Sequence, residues 1–250
     1  MRTFGLVGKS LTHSISKQYF TEKIHQQNIQ DAEYCLFSLA KIEEIKDLLK
    51  HPTLHGFNVT IPYKTAVIPY LDELDIVAQE VGAVNCVIKE NNKWVGYNTD
   101  VVGFERLLQK AERNSYAFVL GSGGAAKAVC YVLKQKNIPF QIVSREKNIH
   151  TITYNELTEL ITNHYTLTTN HYTLIINTTP LGMFPNTGKL PPIPYHALTH
   201  NHILIDLIYN PAETLFLKEG RKRGALTMNG LEMFKAQAEE SWILFFSNVK

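Results

Sequence analysis

Cysteine is scarce in this chain of 250 residues: only Cys35, Cys86 and Cys130 occur, far apart and mostly among apolar neighbours. An odd count with no C-x-x-C spacing argues against a disulfide framework and predicts reduced, buried thiols in a cytoplasmic protein. An excess of charge is missing as well. With 25 Lys and Arg against 23 Asp and Glu, the formal net charge is +2, which calls for neither nucleic acid nor an anionic membrane. The one compact basic run, Arg221-Lys222-Arg223 before Gly224, closes a helical pattern and reads as a helix C-terminus facing water. No apolar run is long enough to span a bilayer. Near the start, Thr3 to Val7 is strand-length and broken by Gly5, so no secretory signal is expected. What is present is a globular composition, 44% hydrophobic, with length for one large domain or two modest ones.

The stretch that organises the rest is Tyr116 to Arg145, YAFVLGSGGAAKAVCYVLKQKNIPFQIVSR. An apolar run from Ala117 to Leu120 stops at Gly121-Ser122-Gly123-Gly124-Ala125-Ala126. A helical pattern follows through Lys136, then a second apolar run from Phe140 to Val143. This is a βαβ unit with Gly121, Gly123 and Ala126 at the spacing of a dinucleotide fingerprint. The first glycine allows the tight turn, the second lets the backbone approach a pyrophosphate, and the small Ala126 lets the helix pack close to its strand. The helix N-terminus offers free N–H groups and the positive end of its dipole to phosphates. Alone, GxGxxA is a weak signal; between a strand and an amphipathic helix it is a good one. At the end of the second strand an NAD enzyme usually places an acid on the ribose 2′-hydroxyl. Here the corner is Ser144-Arg145-Glu146-Lys147, whose hydroxyl and two cations suit the 2′-phosphate of NADP, while Glu146 leaves NAD open.

Strands and helices alternate along the chain. Strands are expected at Phe4 to Val7, Tyr34 to Leu39 and Gly56 to Ile61, with helices at Ser16 to Gln27, Ile42 to Leu49 and Leu74 to Val81. Val84 to Lys89 and Trp94 to Tyr97 form a hairpin around Asn91-Asn92, and Thr99 to Ala111 is an amphipathic helix. Beyond the βαβ unit come a helix near Asn155 to Ile161 and strands at Leu174 to Asn177 and Ile203 to Ile208. A helix at Ala212 to Arg223, a short strand at Ala225 to Met228 and a final helix from about Asn229 to Phe246 complete the chain. Such alternation predicts an α/β fold with parallel sheets covered on both faces. TNHYTL occurs twice, at Thr162 to Leu167 and Thr169 to Leu174, and fits a duplication in a surface connection.

Polar residues gather at the ends of elements in the first hundred residues. Ser14 and Ser16 lie two apart, so an extended backbone would point both hydroxyls one way. Asn58 and Thr60 repeat that spacing at a strand end. Pro62 reads as a helix start, which puts Lys64 in a first turn, where the dipole repels it. Asn85 opens one hairpin strand, and Asn98-Thr99-Asp100 ends the other and caps the next helix. Singly, each has a plainer reading: Ser16 and Asp100 as N-caps, Asn85 as a turn residue, Lys64 as a solvated charge. Together they look like a site for a small polyhydroxylated acid.

At this point a resemblance becomes specific. HSIS at His13 to Ser16, GFNVTIPYK at Gly56 to Lys64, GAVNCV at Gly82 to Val87 and GYNTDVVG at Gly96 to Gly103 resemble motifs of the shikimate dehydrogenase family. So do GSGGAAKA from Gly121, NTTPLGM at Asn177 to Met183, DLIYNPAET at Asp206 to Thr214 and NGLEMFKAQAEESW at Asn229 to Trp242. The motifs fall in family order and cover nearly the whole chain. The resemblance implies an N-terminal α/β substrate-binding domain (1–102 plus 230–250) and a C-terminal Rossmann-like NADP domain (103–229). The last helix would return to the first domain, and a substrate cleft would lie between the two.

It also implies reversible NADPH-dependent reduction of 3-dehydroshikimate to shikimate, a step of aromatic amino acid and chorismate biosynthesis, in a monomer or homodimer. Lys64 matches the family's catalytic lysine and Asp100 its partner. Ser14 and Ser16 match residues that hold the substrate carboxylate. Thr60, Asn85 and Gln237, more loosely Tyr209, and with them Asn58, match the substrate side. Gly121, Ser122, Gly123, Gly124, Ala125, Ser144, Arg145 and Lys147 match cofactor contacts, with Leu207 and Gly230 near the nicotinamide. Two departures are visible: Ser144-Arg145-Glu146 stands where Asn-Arg-Thr is commoner, and Cys86 where Thr is.

Rival readings are weaker. Tyr19 to Lys23 fits the Tyr-x-x-x-Lys of short-chain reductases, but it precedes the glycine turn by about a hundred residues, whereas those enzymes carry it afterwards. Folate-linked dehydrogenases have such a pair early in the chain, yet their other motifs are missing here. Quinate as a second substrate stays open, although keeping both Ser14 and Ser16 leans toward shikimate. A non-catalytic NADP sensor would be expected to lose Lys64 or Asp100, and both are present. His196, His200 and His202 lack a supporting ligand set and read as surface loop rather than a metal site.

Overall fold

The computed structural model describes residues 1–12, 14–111, 115–163 and 172–247. His13 and most of the TNHYTL duplication lie outside the described residues. The chain forms two compact units, Met1–Thr99 with Gln237–Lys250, and Asp100–Ala236.

The first unit contains strands β1 (Arg2–Gly8), β2 (Ala32–Ser38), β3 (Leu54–Val59), β4 (Glu73–Leu74), β5 (Cys86–Glu90) and β6 (Lys93–Tyr97). Its helices are α1 (Ser16–Gln26), α2 (Ile45–Leu48) and α3 (Ile76–Val81). The sheet order is β2-β1-β3-β5-β6-β4. Pairing is parallel for β1 with β2 and β3, but antiparallel where β3 meets β5 and within the β5–β6 hairpin. The expectation of a parallel sheet therefore fails here. Asn91 and Asn92 both hold positive φ and turn the chain straight back, so β5 and β6 need no crossover helix. Alternate side chains serve opposite faces. Val7, Phe57, Val59, Val87 and Trp94 build one core, and Phe4, Leu6, Cys86 and Ile88 build the other with Phe20, Ala238 and Phe245.

The second unit contains α4 (Asp100–Leu108), β7 (Ser115–Leu120), α5 (Gly124–Gln135), β8 (Phe140–Val143), β9 (Thr151–Ile152) and α6 (Tyr154–Thr162). Then come β10 (Tyr172–Asn177), β11 (His202–Asp206), α7 (Leu215–Lys222) and β12 (Leu226–Met228). All its strand pairs are parallel, in the order β12-β11-β10-β7-β8-β9. The central strands are apolar on both faces because helices cover both. Ala117, Val119, Leu174, Ile176, Ile203 and Ile205 join Phe104, Val129 and Leu133 on one side. Phe118, Leu120, Ile175 and Leu204 join Leu157, Ile161, Phe216 and Leu217 on the other. The final helix, α8 (Leu231–Ser247), begins in this unit and ends in the first.

Several local expectations are corrected. Pro62 starts no α-helix: the chain turns through 61–67 and reaches only a 3-10 helix at Ile68–Tyr70. The Lys64 carbonyl accepts the Val84 N–H at 2.7 Å, and Pro69 has no N–H to give to Thr65, so helical bonds cannot propagate. Of the thiols only Cys86 is fully buried; Cys35 and Cys130 are half-buried. Burial pushes Cys86 and Cys130 up to about 12, which keeps both thiols protonated at neutral pH. His202 is not a surface loop residue. It is 1% exposed, and its Nδ1 accepts the Thr199 N–H at 3.0 Å, closing the turn before β11. Among the described residues no helix is long and apolar enough to cross a membrane.

Candidate active site

In the first unit a buried polar cluster joins five chain segments. Asn85, 2% exposed, donates from Nδ2 to Thr99 Oγ1 at 2.9 Å and to Gln237 Oε1 at 3.3 Å, and its Oδ1 accepts the Thr99 N–H at 2.6 Å. Thr99 Oγ1 lies 3.1 Å from Ser241 Oγ. Ser241 Oγ in turn accepts from Asn58 Nδ2 at 2.9 Å, while Asn58 Oδ1 accepts from the Tyr34 hydroxyl at 2.8 Å. Three predicted residues, Asn58, Asn85 and Gln237, are thus brought together from β3, the start of the hairpin and α8. Thr99, read in the sequence only as part of a strand end and helix cap, and Ser241, given no role there, link them. A hydroxyl at 241, one turn beyond Gln237 on the same helix face, was the available signal.

Lys64 and Thr60 flank the turn after β3, both half-buried, and the backbone at Thr60 is pinned by its N–H to the Val7 carbonyl at 2.9 Å. Ser14 and Ser16 do not sit on an extended backbone. Ile15 between them is helical (φ −73°, ψ −18°), and Ser14 Oγ accepts the Ser16 N–H at 3.2 Å at the start of α1. The rival Tyr19 and Lys23 are both bound to Glu239 of α8, and Lys23 also lies over the Trp242 ring at 5.1 Å. That pair ties α1 to α8.

In the second unit the strand order reverses between β7 and β10, which makes their carboxyl ends the switch point where open α/β sheets bind ligands. β7 runs directly into the glycine turn. Gly121 has φ +108°, and a Cβ there would stand 2.8 Å from Thr178 Oγ1. Thr178 in turn donates from Oγ1 to the Leu120 carbonyl at 2.7 Å. Ser122 and Gly123 are exposed, and Gly124 and Ala125 begin α5. Gly123 is the N-cap of α5; no side chain caps the helix, and among the described residues nothing lies within 4 Å of where a Cβ would be. Backbone N–H groups with open space before them at a dipole's positive end fit a dinucleotide pyrophosphate.

At the end of β8, Ser144 is half-buried and Arg145, Glu146 and Lys147 are exposed. Lys147 pairs with Glu156, whose carboxylate also closes a capping box with Thr153 at the start of α6 and is held down at about 2 by these donors. Among the described residues Arg145, exposed beside it, makes no ion pair. Leu207 and Gly230 are in contact: a Cβ at Gly230 would fall 2.0 Å from the Leu207 carbonyl oxygen, so only glycine fits. Tyr209 packs against Phe234 with ring centroids 4.7 Å apart and the planes tilted by 37°, and burial pushes its hydroxyl up to about 12. Asp100 is 4% exposed in the first turn of α4, where the dipole favours a carboxylate.

Comparison with known proteins identifies the family. Residues 6–87 match the family model described as the shikimate dehydrogenase substrate binding domain. A protein of Clostridium beijerinckii named shikimate dehydrogenase (NADP(+)) is 39% identical over 264 residues, covering 97% of this chain and 92% of the relative. A protein of the same name from Methanococcus aeolicus is 37% identical over 254 residues, covering 96% and 90%. The crystal structure of shikimate dehydrogenase 1 from Peptoclostridium difficile superposes with a TM-score of 0.86 at 35% identity, covering 99% of this chain and 92% of that one. Full-length likeness at this level, on a fold with these two units, decides the matter: the chain belongs to the shikimate dehydrogenase family.

Proposed function

We propose that this protein catalyses the reversible NADPH-dependent reduction of 3-dehydroshikimate to shikimate, with the first unit binding the substrate and the second the cofactor. The observation that carries the reading is the near-full-length likeness to enzymes named shikimate dehydrogenase (NADP(+)). When bound, the cofactor supplies a hydride to the ring carbonyl carbon. The protein's own residues then have two tasks: to place the ring and to manage the charge that grows on its oxygen.

Lys64 donates the proton to that oxygen, and as a cation it also stabilises the alkoxide while it forms. Asp100 accepts a hydrogen bond from the neighbouring ring hydroxyl and keeps the reacting carbon in register. Ser14 and Ser16 hold the substrate carboxylate; Thr60, Asn85, Gln237 and Tyr209 take ring hydroxyls, and Asn58 stiffens Asn85 and Ser241 beneath them. Gly121 to Ala125 hold the pyrophosphate, Ser144 and Arg145 the 2′-phosphate with Lys147 beside them, and Leu207 and Gly230 the nicotinamide. The reaction belongs in the cytoplasm, where NADPH is available as reductant.

Replacing the ammonium tests the proton step. Lys64→Ala is expected to lower kcat by about 10²–10⁴-fold, with circular dichroism and NADP+ affinity as in wild type. Near-wild-type turnover by the folded variant would show that Lys64 is not the donor.

A further inference from the structure

The second unit contains a buried polar knot that none of the roles above uses. Asp206 is the last residue of β11 and is 0% exposed. Its Oδ1 accepts from Asn177 Nδ2 at 3.0 Å and from the Ile208 N–H at 3.1 Å, and its Oδ2 accepts the Thr214 hydroxyl at 2.5 Å. Asn177, the last residue of β10, uses its own Oδ1 to accept from the Thr179 N–H at 3.1 Å and from Thr179 Oγ1 at 2.6 Å. The carbonyl of Asn177 accepts the Leu207 N–H at 3.0 Å, and the Phe184 N–H donates to the Asn210 carbonyl at 3.1 Å. Gly182, at φ +98°, places its Cα side against Thr214. One carboxylate therefore gathers the turn after β10, the Leu207–Tyr209 segment and the N-cap of α7.

Among the described residues no cation pairs with Asp206; every partner is a neutral donor. A buried carboxylate so placed costs stability, and its pKa is pushed up to about 6 by desolvation that the three hydrogen bonds only partly offset. A side chain that weakens the fold yet fixes two loops at the sheet's switch point has a role in the site rather than in the core. We propose that Asp206 is a positioning residue: its carboxylate clasps the 177–182 turn and the 207–209 segment, and thereby sets Leu207, Tyr209 and the Thr178 floor of the glycine turn for cofactor and ring. The inference rests on the function proposed above for what those residues touch, but not for the clasp itself.

Hydrogen exchange on the apo protein tests the clasp without any ligand. Asp206→Ala, or Thr214→Val should the first fail to fold, is expected to speed amide exchange at Thr179, Leu181 and Ile208 by about tenfold or more, the scale of one lost buried bond. The amides of β10 and β11 should stay within about threefold of wild type. Thr214→Ser, which keeps the hydroxyl, should restore the loops. NADP+ affinity and kcat/KM should fall together in the loosened variants. Unchanged loop exchange, acceleration spread evenly over the strands, or loosened loops with unaltered NADP+ affinity would each overturn the proposal. Failure of the wild-type protein to oxidise shikimate would count against the proposed function alone, because exchange and NADP+ binding are read without that substrate.

Discussion

Asp206 and Asn85 show how differently two buried polar residues can stand. The Asn85 amide is neutral and its bonds to Thr99 match it donor to acceptor, so its burial is cheap. Asp206 carries a carboxylate and, among the described residues, faces only neutral donors. Its folded value of about 6 lies above the ordinary 3.8, so between these pH values the folded chain keeps a proton that the unfolded chain releases. Rising pH therefore favours unfolding across that window; the penalty is absent below pH 3.8 and complete above pH 6. Asp206→Asn removes the titration and keeps the shape, with the Thr214 hydroxyl free to turn and accept. In urea unfolding, the variant's stability relative to wild type is expected to improve by about 2 kcal/mol between pH 4 and pH 7. Parallel pH curves for the two proteins would refute this.

At the scale of elements, the two glycines of the turn separate structure from binding. Gly121 holds φ +108° and a Cβ there would press on Thr178, so Gly121→Ala is expected to destabilise the protein by about 1–3 kcal/mol. Gly123 has ordinary extended backbone and open space beside it, so Gly123→Ala should change stability by under about 1 kcal/mol. It should nonetheless weaken NADP+ binding, since the new methyl group stands where the phosphates approach. Thermal unfolding and NADP+ titration of both variants check this; equal effects on stability would contradict it. The same elements show what was legible in the sequence. The glycine turn and the alternating apolar strands of the second unit could be read because strand period, turn chemistry and helix period agree there. The turn at Lys64 could not, because a bond from Val84, twenty residues further on, captures the carbonyl that a helix would need. The extended Ser14–Ser16 pair failed for a similar local reason: Ile15 between them is already helical, and Ser14 Oγ turns back to accept the Ser16 N–H.

For the whole molecule, motif order along the chain carried more than any single motif. Gln237 could be named, and Lys64 and Asp100 given their expected roles, only because the motifs around them occur together. The clasp at Asp206 went unread although its residues stood in quoted motifs. A carboxylate ending an apolar strand signals burial, but its partners at 177 and 214 come from separate segments that only the fold assembles.

The most direct test is the initial rate of cofactor reduction by the purified protein with shikimate or quinate, each with NADP+ or NAD+. We expect kcat/KM to be highest for shikimate with NADP+, and Arg145→Ala to erode the preference for NADP+ over NAD+ by about tenfold or more, as for loss of a charge-assisted phosphate contact. No reduction of NADP+ by shikimate in folded protein, or a clear preference for quinate with NAD+, would contradict it.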